Sequence, residues 1–274
     1  MSNSASGMKT ALLCMQKWDY IYNHKREPID SGSFEASYGQ EFHKLREGIP
    51  TTFFGDKWTA VLNAHDEAYV NRWSEKYENY WNVNYIEHEL KFQFILADQS
   101  LYDGIYEYNG IVDAVVELNG EMYLLETKTT GADLERFSDR IRNQLQPKLY
   151  LLAAAESDIL RPYDIQGIII DATRRPGCRQ KRTETDKQYV ERVTDWYWDN
   201  KETAFRRTLI TATDDELSDL SAEIMLIKDM QDRKQFVKNR DACYAYNKQC
   251  GFYAVCFEGA SLSNDALYQI RKRR

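Results

Sequence analysis

The chain has 274 residues, of which 43% are hydrophobic, so it is long enough to bury the core of one large domain. Its formal net charge of −7 argues against a protein that coats nucleic acid over its whole surface. Because no run approaches the roughly 18 consecutive apolar residues of a membrane-spanning helix, and the first residues lack the apolar stretch of a signal peptide, we expect a cytoplasmic protein with no membrane partner.

The first part of the chain is predicted to be helical and to lead into a sheet. Apolar residues recur every three or four positions in three segments, which predicts helices over 10–25, 34–48 and 56–81. From 85 to 96 much of the sequence alternates between apolar and polar residues, which predicts a strand. Two more strands, 110–118 and 121–128, flank Asn119-Gly120, the strongest two-residue hairpin signal.

The second part of the chain alternates between predicted helices and strands. Helical sequence extends from about 133 to 157, with an interruption predicted at Pro147. The remaining elements are predicted as strands at 166–172 and 203–211, helices at 186–198 and 214–231, and a tail from 239 rich in cysteine and aromatic residues. The predicted class is α/β (α+β), with a central mixed sheet flanked by helices.

We predict a single domain over 1–274. Its parts are a helical N-terminal region at about 1–84, a core at about 85–212, and a C-terminal helix with the cysteine-rich tail at about 213–274.

The predicted hairpin brings two acidic side chains together. A two-residue turn at 119–120 pairs Leu118 with Glu121, and each further pair has residue numbers that sum to the same value. Asp113 therefore lies opposite Glu126, on the same face and with Cβ atoms roughly 5 Å apart. Lys128 lies two residues beyond Glu126 and points to that face as well.

Such a pair of carboxylates needs a cation nearby. The neighbouring residues are apolar on both faces, so the pair is expected to be partly buried, and buried like charges require a counter-charge or a raised pKa. Hard oxygen ligands suit Mg²⁺ or Mn²⁺. A divalent metal beside a lysine is suited to phosphodiester hydrolysis, although residue types alone also allow an ordinary salt-bridged hairpin.

The hairpin sequence resembles the core of the PD-(D/E)XK nuclease superfamily. The segments GIVDAVVE and LLETKTT are similar to its two strands, with the family's acidic residue at Asp113 and its (D/E)-X-K triplet at Glu126-Thr127-Lys128. The resemblance implies a restriction-endonuclease-like core. It also implies that Asp113, Glu126 and the Thr127 carbonyl bind metal and that Lys128 is the catalytic lysine.

Further motifs are similar to the RecB-like branch of this superfamily. A Q-x-x-x-Y motif is present at Gln146 to Tyr150, and Gly39-Gln-Glu-Phe-His43 resembles the histidine motif of an N-terminal helix. The resemblance implies that His43 is a further metal ligand, and that Gln146 and Tyr150 help to place DNA. Since Pro147 follows Gln146, we expect the helix to begin there, with the proline in its first turn.

Four cysteines are arranged as in the CRISPR-associated and phage exonucleases of that branch. One is early and three are late: Cys14, Cys243, Cys250 and Cys256. The resemblance implies a 4Fe–4S cluster, and the spacing of the three late cysteines is more similar to the phage type. No C-x-x-C pair of the kind common in zinc sites is present, but a zinc site and unrelated buried thiols stay open as alternatives. Cys178 is predicted to be a free thiol.

Basic residues are concentrated in short runs. We predict that Arg174 and Arg175, just after the strand at 166–172, contact DNA phosphates. The run Arg271–Arg274 resembles a nuclear import signal in composition only.

Taken with the resemblance, these features predict a metal-dependent exonuclease. Its expected substrate is DNA with a free end or a single strand, in recombination or repair of the phage or mobile-element type. An endonuclease of the same superfamily and a non-catalytic DNA-binding descendant are the alternatives.

Overall fold

The computed structural model describes residues 4–29, 34–51, 55–74, 81–97 and 105–271. Its centre is a five-stranded mixed sheet in the order β2-β3-β4-β5-β6, in which only β4 and β5 are parallel. The strands are β2 (Asn84–Leu96), β3 (Tyr106–Leu118), β4 (Glu121–Thr130), β5 (Ile165–Arg174) and β6 (Phe205–Ile210). A two-stranded antiparallel sheet joins β1 (Arg26–Pro28) to β7 (Tyr268–Ile270), so the described chain ends meet.

Ten α-helices are described, on both sides of the large sheet. They are α1 (Ala5–Leu13), α2 (Met15–Trp18), α3 (Phe34–Arg46), α4 (Asp56–Ser74), α5 (Leu134–Ile141), α6 (Leu145–Glu156), α7 (Asp186–Asp199), α8 (Lys201–Ala204), α9 (Asp214–Asp232) and α10 (Tyr253–Phe257). The mixed sheet with flanking helices confirms the predicted fold class. None of the described helices is long and apolar enough to span a membrane.

The β3–β4 hairpin has the predicted register. Asn119 and Gly120 both have positive φ, 55° and 86°, as a type I′ turn requires. Leu118 pairs with Glu121, and the ladder continues without a shift to Ala114 and Leu125. The next pair in this register is Asp113 and Glu126.

Helices α1, α6 and α9 cover one face of the sheet through the largest apolar core. That core includes Val115 and Leu124, which form the ladder pair two steps nearer the turn than Asp113 and Glu126. Because side chains alternate between faces along a strand, Asp113 and Glu126 lie on this same face, where the apolar core ends.

Two predicted helices are interrupted differently from expectation. The segment 10–25 is broken at Cys14, whose extended backbone (φ −167°, ψ 111°) separates α1 from α2, and a π-helical turn follows over Asp19–Asn23. The predicted interruption at Pro147 is wrong, because the break lies at 142–144 and Pro147 is the third residue of α6. The alternative placement of Pro147 in the first turn is confirmed. There its missing N–H costs no helical hydrogen bond.

Some predicted segments lie partly outside the described residues. The predicted helix 56–81 corresponds to α4 up to Ser74, and 75–80 are not described. Of the basic run Arg271–Arg274, only Arg271 is described, with its guanidinium 4.2 Å from the centre of the Tyr22 ring.

Candidate metal-dependent active site

The two carboxylates predicted to face each other, Asp113 and Glu126, both contact groups of β4, the strand that carries Lys128. Oδ2 of Asp113 accepts a hydrogen bond of 2.7 Å from the backbone N–H of Thr127. Glu126 is only 4% exposed, and the ammonium of Lys128 forms an ion pair with its Oε1 atom. The structure therefore brings Asp113, Glu126 and Lys128 together.

The Q-x-x-x-Y motif lies directly beside Glu126. Nε2 of Gln146 donates to Oε1 of Glu126 and to the Tyr150 hydroxyl, both at 2.9 Å. The Tyr150 hydroxyl in turn donates to the backbone carbonyl of Ile111, two residues before Asp113, at 2.8 Å. Since the two side chains are one helical turn apart on α6, the helix links both strands of the hairpin.

His43, on α3, lies beside one of the two carboxylates. Its Nδ1 atom is 3.5 Å from Oδ2 of Asp113. The helix α3 reaches this position because Gly39, one turn before His43, lies against β4. A Cβ atom at Gly39 would be 2.9 Å from Oγ1 of Thr129.

Burial shifts the protonation equilibria of the site. It raises the pKa of Asp113 to about 6, against the lowering effects of the Thr127 N–H and of Lys128. Burial also raises the pKa of Glu126, although Lys128 opposes it. The pKa of His43 is lowered by burial, so this ring is neutral near pH 7 and has a nitrogen lone pair available for a metal.

An open cavity of about 400 Å³ lies next to Asp113, His43 and Thr127. Its lining also includes residues that the sequence analysis did not assign to the site, among them Arg46, Glu47 and Glu89. Glu47 follows His43 by one helical turn, so helical periodicity is the signal that would have found it. Glu89 is exposed and lies on the wall of this cavity.

The donor set fits a hard divalent cation. Oε2 of Glu126 is buried and has no hydrogen-bond partner, and an unpaired buried carboxylate oxygen calls for a cation. Asp113 and the Thr127 carbonyl offer further oxygen atoms, as Mg²⁺ or Mn²⁺ prefers. Within the described ranges, however, no three His, Cys, Asp or Glu side chains form a ready-made metal site.

Arg174 and Arg175 do not line the cavity beside the carboxylates, and both guanidinium groups pack on aromatic rings. The Arg174 guanidinium is 5.8 Å from the centre of the Trp196 ring. That of Arg175 is 5.7 Å from the Tyr38 ring centre and 4.0 Å from Glu35. Arg175 lines a separate cavity together with Cys178.

The four cysteines predicted to act together line one small cavity. It has a volume of about 20 Å³, and its lining includes Cys14, Cys243, Cys250 and Cys256. No disulfide joins them. Burial raises the pKa of the Cys243 thiol, and the other three thiols raise it further through electrostatic repulsion, which reflects their proximity.

Comparison with known proteins places these features in one family. Residues 2–257 match the family model described as the PD-(D/E)XK nuclease superfamily. A search of curated proteins finds no match. Among solved structures, the chain is similar to the crystal structure of SSO0001, with 13% sequence identity and a TM-score of 0.41, over 95% of this chain and 89% of that chain.

Proposed function

The chain belongs to the PD-(D/E)XK nuclease superfamily, whose members are metal-dependent nucleases that act on DNA, and we propose that it is an exonuclease hydrolysing DNA from a free end. The observation that carries the proposal is the joint position of Asp113, Glu126 and Lys128 beside the buried, unpaired Oε2 of Glu126. A bound Mg²⁺ or Mn²⁺ would polarise the scissile phosphate and lower the pKa of an attacking water.

Each side chain of the site has a proposed role in this reaction. Asp113, Glu126 and the Thr127 carbonyl would hold the metal, with His43 as a further ligand. The Lys128 ammonium lies beside Glu126, where it neutralises charge that develops on the phosphoryl oxygens. Gln146 donates to Glu126 and thereby fixes the orientation of that carboxylate.

Exonuclease action is favoured over endonuclease action by the Gln146–Tyr150 motif and by the four-cysteine set. Both resemble the RecB-like exonucleases, which suggests a role in recombination or repair of the phage or mobile-element type. The same resemblance is the basis for proposing a 4Fe–4S cluster at the four cysteines, which line one cavity. Zinc is the alternative, since four thiols would also suit that metal.

The catalytic proposal is tested with Lys128→Ala. We expect it to lower the rate of cleavage by about 10²-fold or more, because one preorganised electrostatic group typically contributes that much. The assay uses end-labelled linear DNA with Mn²⁺, and EDTA should abolish cleavage. Lys187→Ala is the matched control, since Lys187 is 87% exposed on α7 and lies outside the site.

Circular DNA separates the remaining alternatives. An exonuclease leaves a closed circle intact and degrades it once it has been linearised, whereas an endonuclease cuts both forms. If Lys128→Ala cleaves DNA at the wild-type rate, the assigned site is wrong. DNA binding without any metal-dependent cleavage would indicate a non-catalytic descendant.

A further inference from the structure

A second cavity, separate from the carboxylate cavity, lies between α3, the start of α4 and the loop after β5. It has a volume of about 290 Å³. Its lining combines aromatic rings with basic side chains: Phe34, Tyr38, Trp58, Tyr189, Lys57, Arg175 and Arg179. None of these residues except Arg175 has a role in the site described above.

The basic side chains give this cavity a charge opposite to that of the whole chain. Among the residues that the structure describes, three cations and one acidic residue, Glu35, line it, whereas the chain carries a net charge of −7. Lys57 contacts Gln180 at 3.0 Å and Asp186 at 3.7 Å. Arg179 is exposed. Asp186 and Glu35 partly neutralise Lys57 and Arg175, so the exposed Arg179 contributes most to attracting an anionic ligand.

The aromatic side chains of the wall lie next to the basic ones: Lys57 Nζ is 5.6 Å from the centre of the Trp58 ring, and the Arg175 guanidinium is 5.7 Å from that of Tyr38. Phe34 and Trp58 meet edge to face with ring centres 4.9 Å apart, and Trp58 meets Tyr189 in the same way at 6.2 Å. Phe34 and Trp58 are only partly buried. Aromatic rings next to arginines are suited to a nucleotide, because a base stacks on the rings while its phosphate contacts the guanidinium groups.

The cavity is close to the carboxylates along two elements. The backbone N–H of Arg175 donates at 2.7 Å to the carbonyl of Thr130, two residues beyond Lys128 on β4. Phe34 and His43 belong to the same helix, and nine helical residues span about 13 Å. Each strand of B-DNA rises about 3.4 Å per nucleotide, so the cavity lies within about four nucleotides of a phosphate held at the carboxylates.

We infer that this cavity binds an unpaired nucleotide of the substrate strand. Its base stacks against Phe34 and Trp58, and its phosphate contacts Arg175 and Arg179. The inference rests on the proposed function, because it assumes that the strand is the one cleaved at Asp113 and Glu126. It adds a subsite for single-stranded DNA near the end that is being degraded.

The phosphate contact is tested by binding of a fluorescein-labelled single-stranded oligonucleotide to the full chain in EDTA, which prevents cleavage. Affinity falls as the salt concentration rises. The slope of log affinity against log salt concentration should become less steep by about one for Arg179→Ala, because one phosphate contact is lost. Arg182→Ala is the matched control. It removes the same charge from an exposed residue of the same loop that does not line the cavity, and its slope should not change.

The base contact is tested with Trp58→Ala and Trp58→Phe. Stacking of a base on an aromatic ring contributes about 1–3 kcal/mol, so we expect Trp58→Ala to weaken binding about fivefold to 150-fold and Trp58→Phe to retain most of the affinity. Oligonucleotides with one abasic position, moved along the strand, should show one position where loss of the base weakens wild-type binding. That effect should be absent in Trp58→Ala.

The outcomes separate this inference from the proposed function. Suppose that wild-type protein cuts and binds DNA, but Arg179→Ala has the same salt slope as Arg182→Ala and no abasic position has an effect that depends on Trp58. The subsite is then wrong, and the proposed function stands. If wild-type protein neither cuts nor binds DNA, both are wrong. If a mononucleotide binds as tightly as the oligonucleotide, the cavity serves a free nucleotide and the strand subsite is wrong. Because Arg179 is exposed, its variant tests the inference even if Trp58→Ala fails to fold.

Discussion

At the scale of single residues, the site combines groups that are unfavourable for folding. Glu126 is almost fully buried and keeps one oxygen without a partner, and Asp113 lies opposite it in the hairpin register. Lys128 neutralises one of the two negative charges, which leaves the pair with an excess negative charge. The arrangement is therefore expected to favour cation binding at the expense of stability.

Asp113→Asn tests whether the charge of Asp113 lowers the stability of the folded protein. The pKa of Asp113 is raised from 3.8 to about 6 in the folded protein. Between these values the folded state binds more protons than the unfolded state, so the free energy of unfolding decreases as the pH rises through this window. The introduced amide carries no charge, and its oxygen can still accept the Thr127 N–H. We expect the variant to be more stable than wild type at pH 8 in EDTA by on the order of 1 kcal/mol, which raises Tm by about 2–4 °C.

Thermal unfolding at two pH values provides the measurement. At pH 4 the stability gain of Asp113→Asn should largely disappear, because wild-type Asp113 is then protonated as well. Asp139→Asn, with the same charge change on an exposed position of α5, should not reproduce this pH dependence. A variant that is less stable than wild type at pH 8 would contradict the expected cost.

The central pair could be predicted from the sequence because a two-residue turn fixes the register. Once Asn119-Gly120 is the turn, simple counting places Asp113 opposite Glu126. No such counting rule connects β4 to helices far away in the chain. The positions of Arg46 and Glu89 in the cavity, and the hydrogen bond from Gln146 to Glu126, depend on tertiary packing and could not be derived from spacing alone.

At the scale of elements, the distance between α3 and β4 sets the position of His43. Gly39 permits this close approach, because its missing side chain leaves room for Oγ1 of Thr129. Helix propensity alone disfavours glycine in a helix interior by about 1 kcal/mol relative to alanine. The glycine is therefore best explained by packing of α3 against the strand that carries Glu126 and Lys128.

Gly39→Ala should separate stability from activity. Alanine favours the helix but places a Cβ atom 2.9 Å from Oγ1 of Thr129, which pushes α3 and His43 away from the carboxylates. We expect Tm to change little and the cleavage rate to fall on the order of tenfold, since a displacement of 1 Å can cost about 10²-fold in rate. The additional change Thr129→Ala removes the hydroxyl and should restore part of the activity. Full activity of Gly39→Ala would show that Thr129 rotates away and that the spacing is not critical.

The element boundaries also show where sequence patterns are insufficient. Apolar spacing predicted one helix over 10–25, but it cannot detect that Cys14 is extended. The extended residue turns the chain so that Gln16 N–H donates to the Val237 carbonyl at 3.2 Å. This contact joins residues that are far apart in the sequence, and no local pattern contains that information.

At the scale of the whole molecule, the two ends of the described chain are joined at the cysteine cavity. Asn239 Nδ2 donates to the Leu13 carbonyl at 3.0 Å, beside Cys14. Tyr20, Phe252 and Tyr268 form a small apolar core at the same end of the molecule. These contacts place Cys14 close to three cysteines that are more than 200 residues further along the chain. The closure of the fold thus creates the cavity in which a metal cluster is proposed.

The last prediction concerns that cluster. If four thiolates hold a 4Fe–4S cluster, anaerobically purified protein should be brown with absorbance near ~400 nm. Cys14→Ser and Cys250→Ser should lose this absorbance to the same extent. Cys178→Ser is the matched control and should keep it, because Cys178 lines the aromatic cavity instead.

Metal binding stabilises the fold only through the ligands that it joins. Hydrogen exchange in Cys14→Ser should therefore increase first in α1 and in the tail after Val237, and later, or not at all, in the β3–β4 hairpin. Colourless protein that contains one equivalent of zinc would show that the four cysteines form a zinc site and not an iron–sulfur cluster. Colourless, metal-free protein in which Cys14→Ser has unchanged exchange would show that the four thiols are only buried side chains.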